Sequence, residues 1–162
     1  MKRIEPAPGQ ESVWDYPRPP VIEPVGTRVR VVFNGAVIAD TTRAYRYLET
    51  SHPPSYYIPP EDVAREHLTE SRTTTHCEYK GVARYANVVV GDREVNDAAW
   101  FYPSPSAPYS AIADYFAFYP QKMDECTVDG VRVEPQQGAF YGGWITPEIV
   151  GPFKGGAGTL GW

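Results

Sequence analysis

The sequence predicts a mostly β fold of antiparallel hairpins with one short helix, and three observations carry that prediction. Seventeen prolines and fourteen glycines in 162 residues interrupt any long helix. Aromatic residues make up 14% of the chain, and the twelve tyrosines among them supply flat surfaces with polar tips. Three two-residue turns, Asn34-Gly35, Gly91-Asp92 and Asp129-Gly130, stand between β-prone runs, which is the strongest short-range hairpin signal. A chain of this length fits one domain able to bury a core without disulfides. It divides into an extended Pro-rich arm (1–26), a β-domain (27–137) and a Gly/aromatic strap (138–162) packed on the same domain.

In the arm, "WDYPRPP" at 14–20 carries two aromatics that can pack on a neighbouring surface. It reads as an ordered arm, with a recognition peptide for a Pro-binding module as the alternative. In the first hairpin, pairing of 33 with 36 places Val29, Val31, Phe33, Ala36 and Ile38 on one face and Arg28, Arg30 and Thr41 on the other. "TTRAYRYLE", 41–49, is ambiguous between helix and strand. "PPEDVAREHL", 59–68, reads as the helix: proline opens it and Glu61 and Asp62 meet the positive end of its dipole. In the third hairpin Cys126, Val128, Val131 and Val133 form an apolar face, so Cys126 reads as core. The strap has eight glycines in 25 residues but keeps two tryptophans, a composition suited to lying over the sheet.

Several functions are disfavoured. The formal charge of −5 argues against nucleic-acid binding. No apolar run approaches a membrane span, so a soluble, cytoplasmic protein is expected. Two cysteines without a C-x-x-C pair predict free thiols, no metal site and no cofactor. The G-x-G-x-x-G at 156–161 has no helix to open, and Asp92-x-Glu94 falls at a hairpin turn, so neither reads as a phosphate or metal site.

The stretch "TTTHCEYKG", 73–81, crowds a thiol, a phenol and an ammonium together. With Gly91-Asp92 as the turn, Ala83 faces Trp100, Gly81 faces Tyr102 and Tyr85 faces Ala98, so the two large aromatics stand over a small-residue floor. Extending the strand backwards brings Tyr79 and Cys77 to that face, while Lys80 points away with Phe101 unless Gly81 marks a bulge. Three readings remain open. Cys77, Trp100 and Tyr102 are core packing; or they line an aromatic pocket for a planar or cationic small molecule; or Cys77 is a nucleophile whose thiolate a neighbour such as Lys80 promotes. His76, as a strand neighbour of Cys77, points to the opposite face, so a base would come from elsewhere, such as His52 or Glu49.

"VVFNGAVIADTTRA", "LETSHPPSYYIPPEDV", "HCEYKG", "AAWFYPSP", "AFYP" and "FYGGWITPEIVGPFKG" together resemble an actinobacterial-type member of the DUF427 family, a domain of unknown function, over nearly the whole chain. The resemblance implies a compact β-tent-like domain, an architecture similar to that of zinc-bearing chaperone-like proteins and the imide-binding domain of cereblon. The family is sometimes labelled nucleotidyltransferase-like, but no residue here supplies that machinery. Its motif reads Cys-Pro-aromatic-Lys-Gly, and Glu78 stands here in place of the proline. The pattern falls on Cys77, Lys80 and Gly81, on Arg43 and Glu49, and on Tyr56, Tyr57, Trp100, Tyr102 and Tyr119. Arg43 and Glu49 are expected either to pair with each other or to line the slot.

The expected function is binding of a small organic ligand by Trp100, Tyr102 and Tyr56 or Tyr57, with Arg43 and Tyr119 nearby. A Cys77-dependent enzyme assisted by Lys80 or Glu49 is the first alternative. An interaction module built on the arm and the strap is the second, and a homodimer fits the aromatic content.

Overall fold

Alternating apolar and polar residues lay fifteen stretches of the chain into strands, and the computed structural model describes all of it, Met1–Trp162. In chain order these are β1 (Glu11–Ser12), β2 (Val21–Val25), β3 (Val29–Phe33), β4 (Ala36–Thr41), β5 (Ala44–Leu48), β6 (Ser55–Ile58), β7 (Leu68–Cys77) and β8 (Gly81–Val90). β9 (Arg93–Phe101), β10 (Phe116–Phe118), β11 (Glu125–Val128), β12 (Val131–Arg132), β13 (Glu134–Pro135), β14 (Trp144–Ile145) and β15 (Ile149–Val150) follow. A seven-stranded sheet runs in the order β2-β5-β6-β10-β9-β8-β7, and a four-stranded sheet in the order β12-β11-β3-β4. Every pairing in both is antiparallel. The mostly β fold expected from the sequence is the fold observed.

The three hairpin turns stand where the sequence places them. Asn34 and Gly35 (φ 48° and 78°) and Asp129 and Gly130 (φ 52° and 76°) hold the left-handed backbone of a tight turn that matches strand twist. Register beyond the turns differs from simple pairing. In the first hairpin a bulge at Val31/Val32 shifts the ladder by one residue, so Thr41 pairs with Val29 and turns inward instead of standing with the arginines. Buried there, its Oγ1 donates to Asp62 at 2.6 Å. In the central hairpin the shift falls between Ala86 and Val88, and Tyr85, not Ala83, pairs with Trp100. Asp97, at φ 52°, absorbs the extra length, and its N–H donates to Asn87 Oδ1 at 2.9 Å.

The ambiguous 41–49 segment contains strand β5. The helix expected over 59–68 does not form as one element. Pro60–Asp62 and Arg65–His67 are separate single 3-10 turns, and Val63 between them is extended. Ten residues give an isolated helix little intrinsic stability. Here a bridge from Val63 to Ala39, with Ala64 N–H donating to Ile38 O at 2.8 Å, offers the backbone a better partner.

Two cores follow from the alternation along the large sheet. One face packs against the four-stranded sheet through Val29, Val31, Phe33, Ile58, Val88 and Phe118. The other carries a second, aromatic cluster that includes Tyr47, Tyr57, Tyr85, Trp100, Tyr102 and Tyr119. Val21–Val25, within the expected arm, is the edge strand of the large sheet, while Glu11–Ser12 pairs in parallel with Ile149–Val150 of the strap. Arg46 joins the two regions by pairing with Glu11 at 2.8 Å and with Glu23. No helix is long and apolar enough to cross a membrane.

Candidate functional site

The hairpin that closes β7 onto β8 organises the site. Cys77 pairs with Gly81, so Glu78, Tyr79 and Lys80 form its loop and the strand does not continue straight through them. Gly81 sits at φ +102°, a conformation other residues rarely adopt, and the bend carries Lys80 back over the aromatic face. Strict alternation, which sends Lys80 to the far side with Phe101, is therefore overturned by the turn.

Lys80 is only 6% exposed. Its ammonium donates to Tyr57 Oη at 2.9 Å and rests 3.7 Å from the centre of the Tyr47 ring and 5.0 Å from that of Tyr102. Tyr57 Oη also accepts from Trp100 Nε1 at 3.0 Å, so one fully buried phenol holds both the cation and the indole. Trp100 then meets Tyr57 edge-on and packs against Tyr119 with ring centres 4.7 Å apart. Burial raises the pKa of Tyr47, Tyr102 and Tyr119, so these phenols stay neutral.

Over this platform lies a cleft of about 270 Å³. Trp100, Tyr102 and Tyr119 form its walls with Tyr47 and Tyr85, and Cys77, Lys80 and Glu49 line it with His52. The opposite rim is the strap, where Phe140 stands 73% exposed beside Tyr141 and Gly142. Gln136 secures that rim: its Oε1 accepts from Gly143 N–H at 3.1 Å and its Nε2 donates to Lys154 O at 2.6 Å.

Six of the residues singled out from the sequence thus meet in one cleft: Cys77, Lys80, Glu49, Trp100, Tyr102 and Tyr119. Tyr57 lies beneath it as the anchor. Tyr56, one residue earlier, faces the inter-sheet core and packs on Trp144 at 4.9 Å. Arg43 pairs with Asp62 at 3.1 Å near the surface and does not pair with Glu49, whose carboxylate accepts from Arg18 at 3.3 Å. Tyr47 was hidden in the segment whose type the sequence leaves open, and the contributions of Gln136 and Tyr141 depend on the path of the strap. Cys77 is half-buried and makes no hydrogen bond to Lys80 or His52. No three His, Cys, Asp or Glu side chains converge as a metal-binding group.

The model of a family described as a domain of unknown function (DUF427) matches residues 21–129. The chain belongs to the DUF427 family. No curated protein matches it. The floor of the cleft lies inside the matched DUF427 region, whereas Gln136, Phe140, Tyr141 and Gly142 of the rim lie beyond it.

Two expected results bear on this DUF427 site. A Cβ on Gly142 would stand 2.6 Å from Trp100 Cζ3, and both are buried, so Gly142→Ala should displace the indole and destabilise the protein by about 1–3 kcal/mol. Its tryptophan emission should shift to the red in native buffer, and unchanged emission and stability would refute the close approach. His52 is pushed down to about 4 by burial first, then by Lys154, Arg18 and Lys80. Between pH 6.5 and 4 the unfolded chain therefore binds a proton that the folded chain refuses. Stability from this group is complete above pH 6.5 and is lost as pH falls through 4, by about 2–3 kcal/mol. Urea unfolding at pH 7 and pH 4 should show a smaller drop in His52→Gln than in the parent, and equal drops would reject the assignment.

Proposed function

We propose that this protein binds a small organic molecule in the aromatic cleft between the outer face of the large sheet and the strap. The observation that carries the reading is a cleft of about 270 Å³ walled by Trp100, Tyr102 and Tyr119 and also lined by the polar groups of Glu49, His52, Lys80 and Gln136. Ligand sites combine apolar walls with a few placed polar groups, and this volume lies just below their usual range of about 300–1,000 Å³. A molecule of one or two rings suits it better than a nucleotide.

Quenching of tryptophan fluorescence by a metabolite library tests the reading. A hit should lose its effect in Trp100→Ala and keep it in Trp14→Ala, because Trp14 belongs to the arm, edge-on to Trp162 at 5.4 Å. Quenching that survives in Trp100→Ala, or a library without hits, counts against the pocket.

A second reading, with Cys77 as a nucleophile, has one observation in its favour: the thiol and the Lys80 ammonium line the same cleft. Iodoacetamide labelling across pH separates the two. A Cys77 rate that rises only above about pH 8 describes an ordinary thiol and removes the enzyme reading.

A further inference from the structure

We infer that the molecule taken up in the cleft is a small planar anion, whose carboxylate or similar oxyanion sits against the Lys80 ammonium. This rests on the ligand-binding reading and adds the charge of the ligand and the end of the cleft where it lies.

The Lys80 ammonium carries three N–H donors, and its only hydrogen bond is to Tyr57 Oη. None of the ion pairs in the molecule includes it; Glu49, the carboxylate in the same cleft, pairs with Arg18 instead. A buried ammonium without a carboxylate is costly to hold, and ring faces offset that cost only in part. Two donors are left for a group that enters the cleft. Beside them, the Tyr47 hydroxyl is sealed from solvent and has no hydrogen-bond partner, although Tyr47 is 7% exposed and lines the cleft. The ammonium lies 3.7 Å from the centre of that same ring. A carboxylate that enters the cleft has two oxygens to accept from the remaining donors of the Lys80 ammonium.

The surrounding charge favours the same sign. Burial first, then Lys154, Arg18 and Lys80, keep His52 unprotonated, and Glu49, the carboxylate in the same cleft, is paired with Arg18. A ligand cation is disfavoured for a separate reason: the ring cage that would receive it already holds the protein's own ammonium. The flat walls of Trp100 and Tyr119 supply the preference for a planar body.

Benzoate, benzamide and benzylammonium share a ring and differ in the head group, so their binding to the full chain, followed by ligand-detected NMR and calorimetry, tests the inference. Benzoate should bind about tenfold or more tightly than either other probe, the gain expected of hydrogen bonds to a charged group. The preference should disappear in Lys80→Gln, while benzamide binding stays within about twofold. Benzamide binding as well as benzoate, or benzylammonium binding best, overturns the anion assignment and leaves the pocket intact. No binding of any of the three up to about 10 mM overturns the anion assignment, and only a library also without hits removes the pocket reading as well. The ranking on the unmodified protein needs no substitution, so a Lys80→Gln variant that fails to fold does not blunt the test.

Discussion

Trp144→Ala is expected to lower the unfolding free energy by about 3–5 kcal/mol and to release the strap from the sheet. The indole is fully buried in the inter-sheet core. Its Nε1 donates to Phe118 O at 3.0 Å, its backbone N–H donates to Pro54 O at 2.7 Å, and its ring packs on Tyr56. Removing it leaves a cavity and an unmet carbonyl at the point where the strap enters the core. Trp144→Phe, which keeps most of the volume and loses one hydrogen bond, should cost markedly less. Urea unfolding measures both, and limited proteolysis should cut between 138 and 162 faster in the alanine variant. A cost below about 1 kcal/mol would mean that the strap is not part of the cooperative unit, and the cleft would lose its rim.

Tyr57→Phe should cost about 2–4 kcal/mol, more than most losses of one hydroxyl, because two buried donors then lack an acceptor. The Trp100 indole N–H is one and the Lys80 ammonium is the other. The same substitution on a Lys80→Met background should cost much less, since the buried charge is gone, and the coupling between the two positions should exceed about 1 kcal/mol. Additive effects in that double-mutant cycle would show that Tyr57 does not support the cation. The anion assignment would then lose its premise that Lys80 is held in place within the cleft.

Whether a hairpin residue kept its expected face followed from the parity of the register shift. The shift in the central hairpin moves pairing by two residues, an even number, so Trp100, Tyr102, Ala83 and Tyr85 keep their common face although their partners change. The shift in the first hairpin is one residue, an odd number, and Thr41 changes sides. Lys80 fails alternation because it lies in the loop that interrupts the strand, with Gly81 as the sole hint. Arg43 and Tyr56 were drawn toward the site by family pattern, yet one pairs with Asp62 and the other packs on Trp144.

Local chemistry in the sequence was sufficient for the turns, the strand faces and the gathering of aromatic side chains, because a two-residue turn and a period of two act over neighbouring residues. The cleft itself was decided by tertiary structure. Its floor comes from β5, β8 and β9 of one sheet and its rim from a strap about forty to ninety residues farther along, held there by Trp144 and Gln136. Contacts of that range depend on how layers pack, and no local pattern encodes which surface a glycine-rich segment will cover.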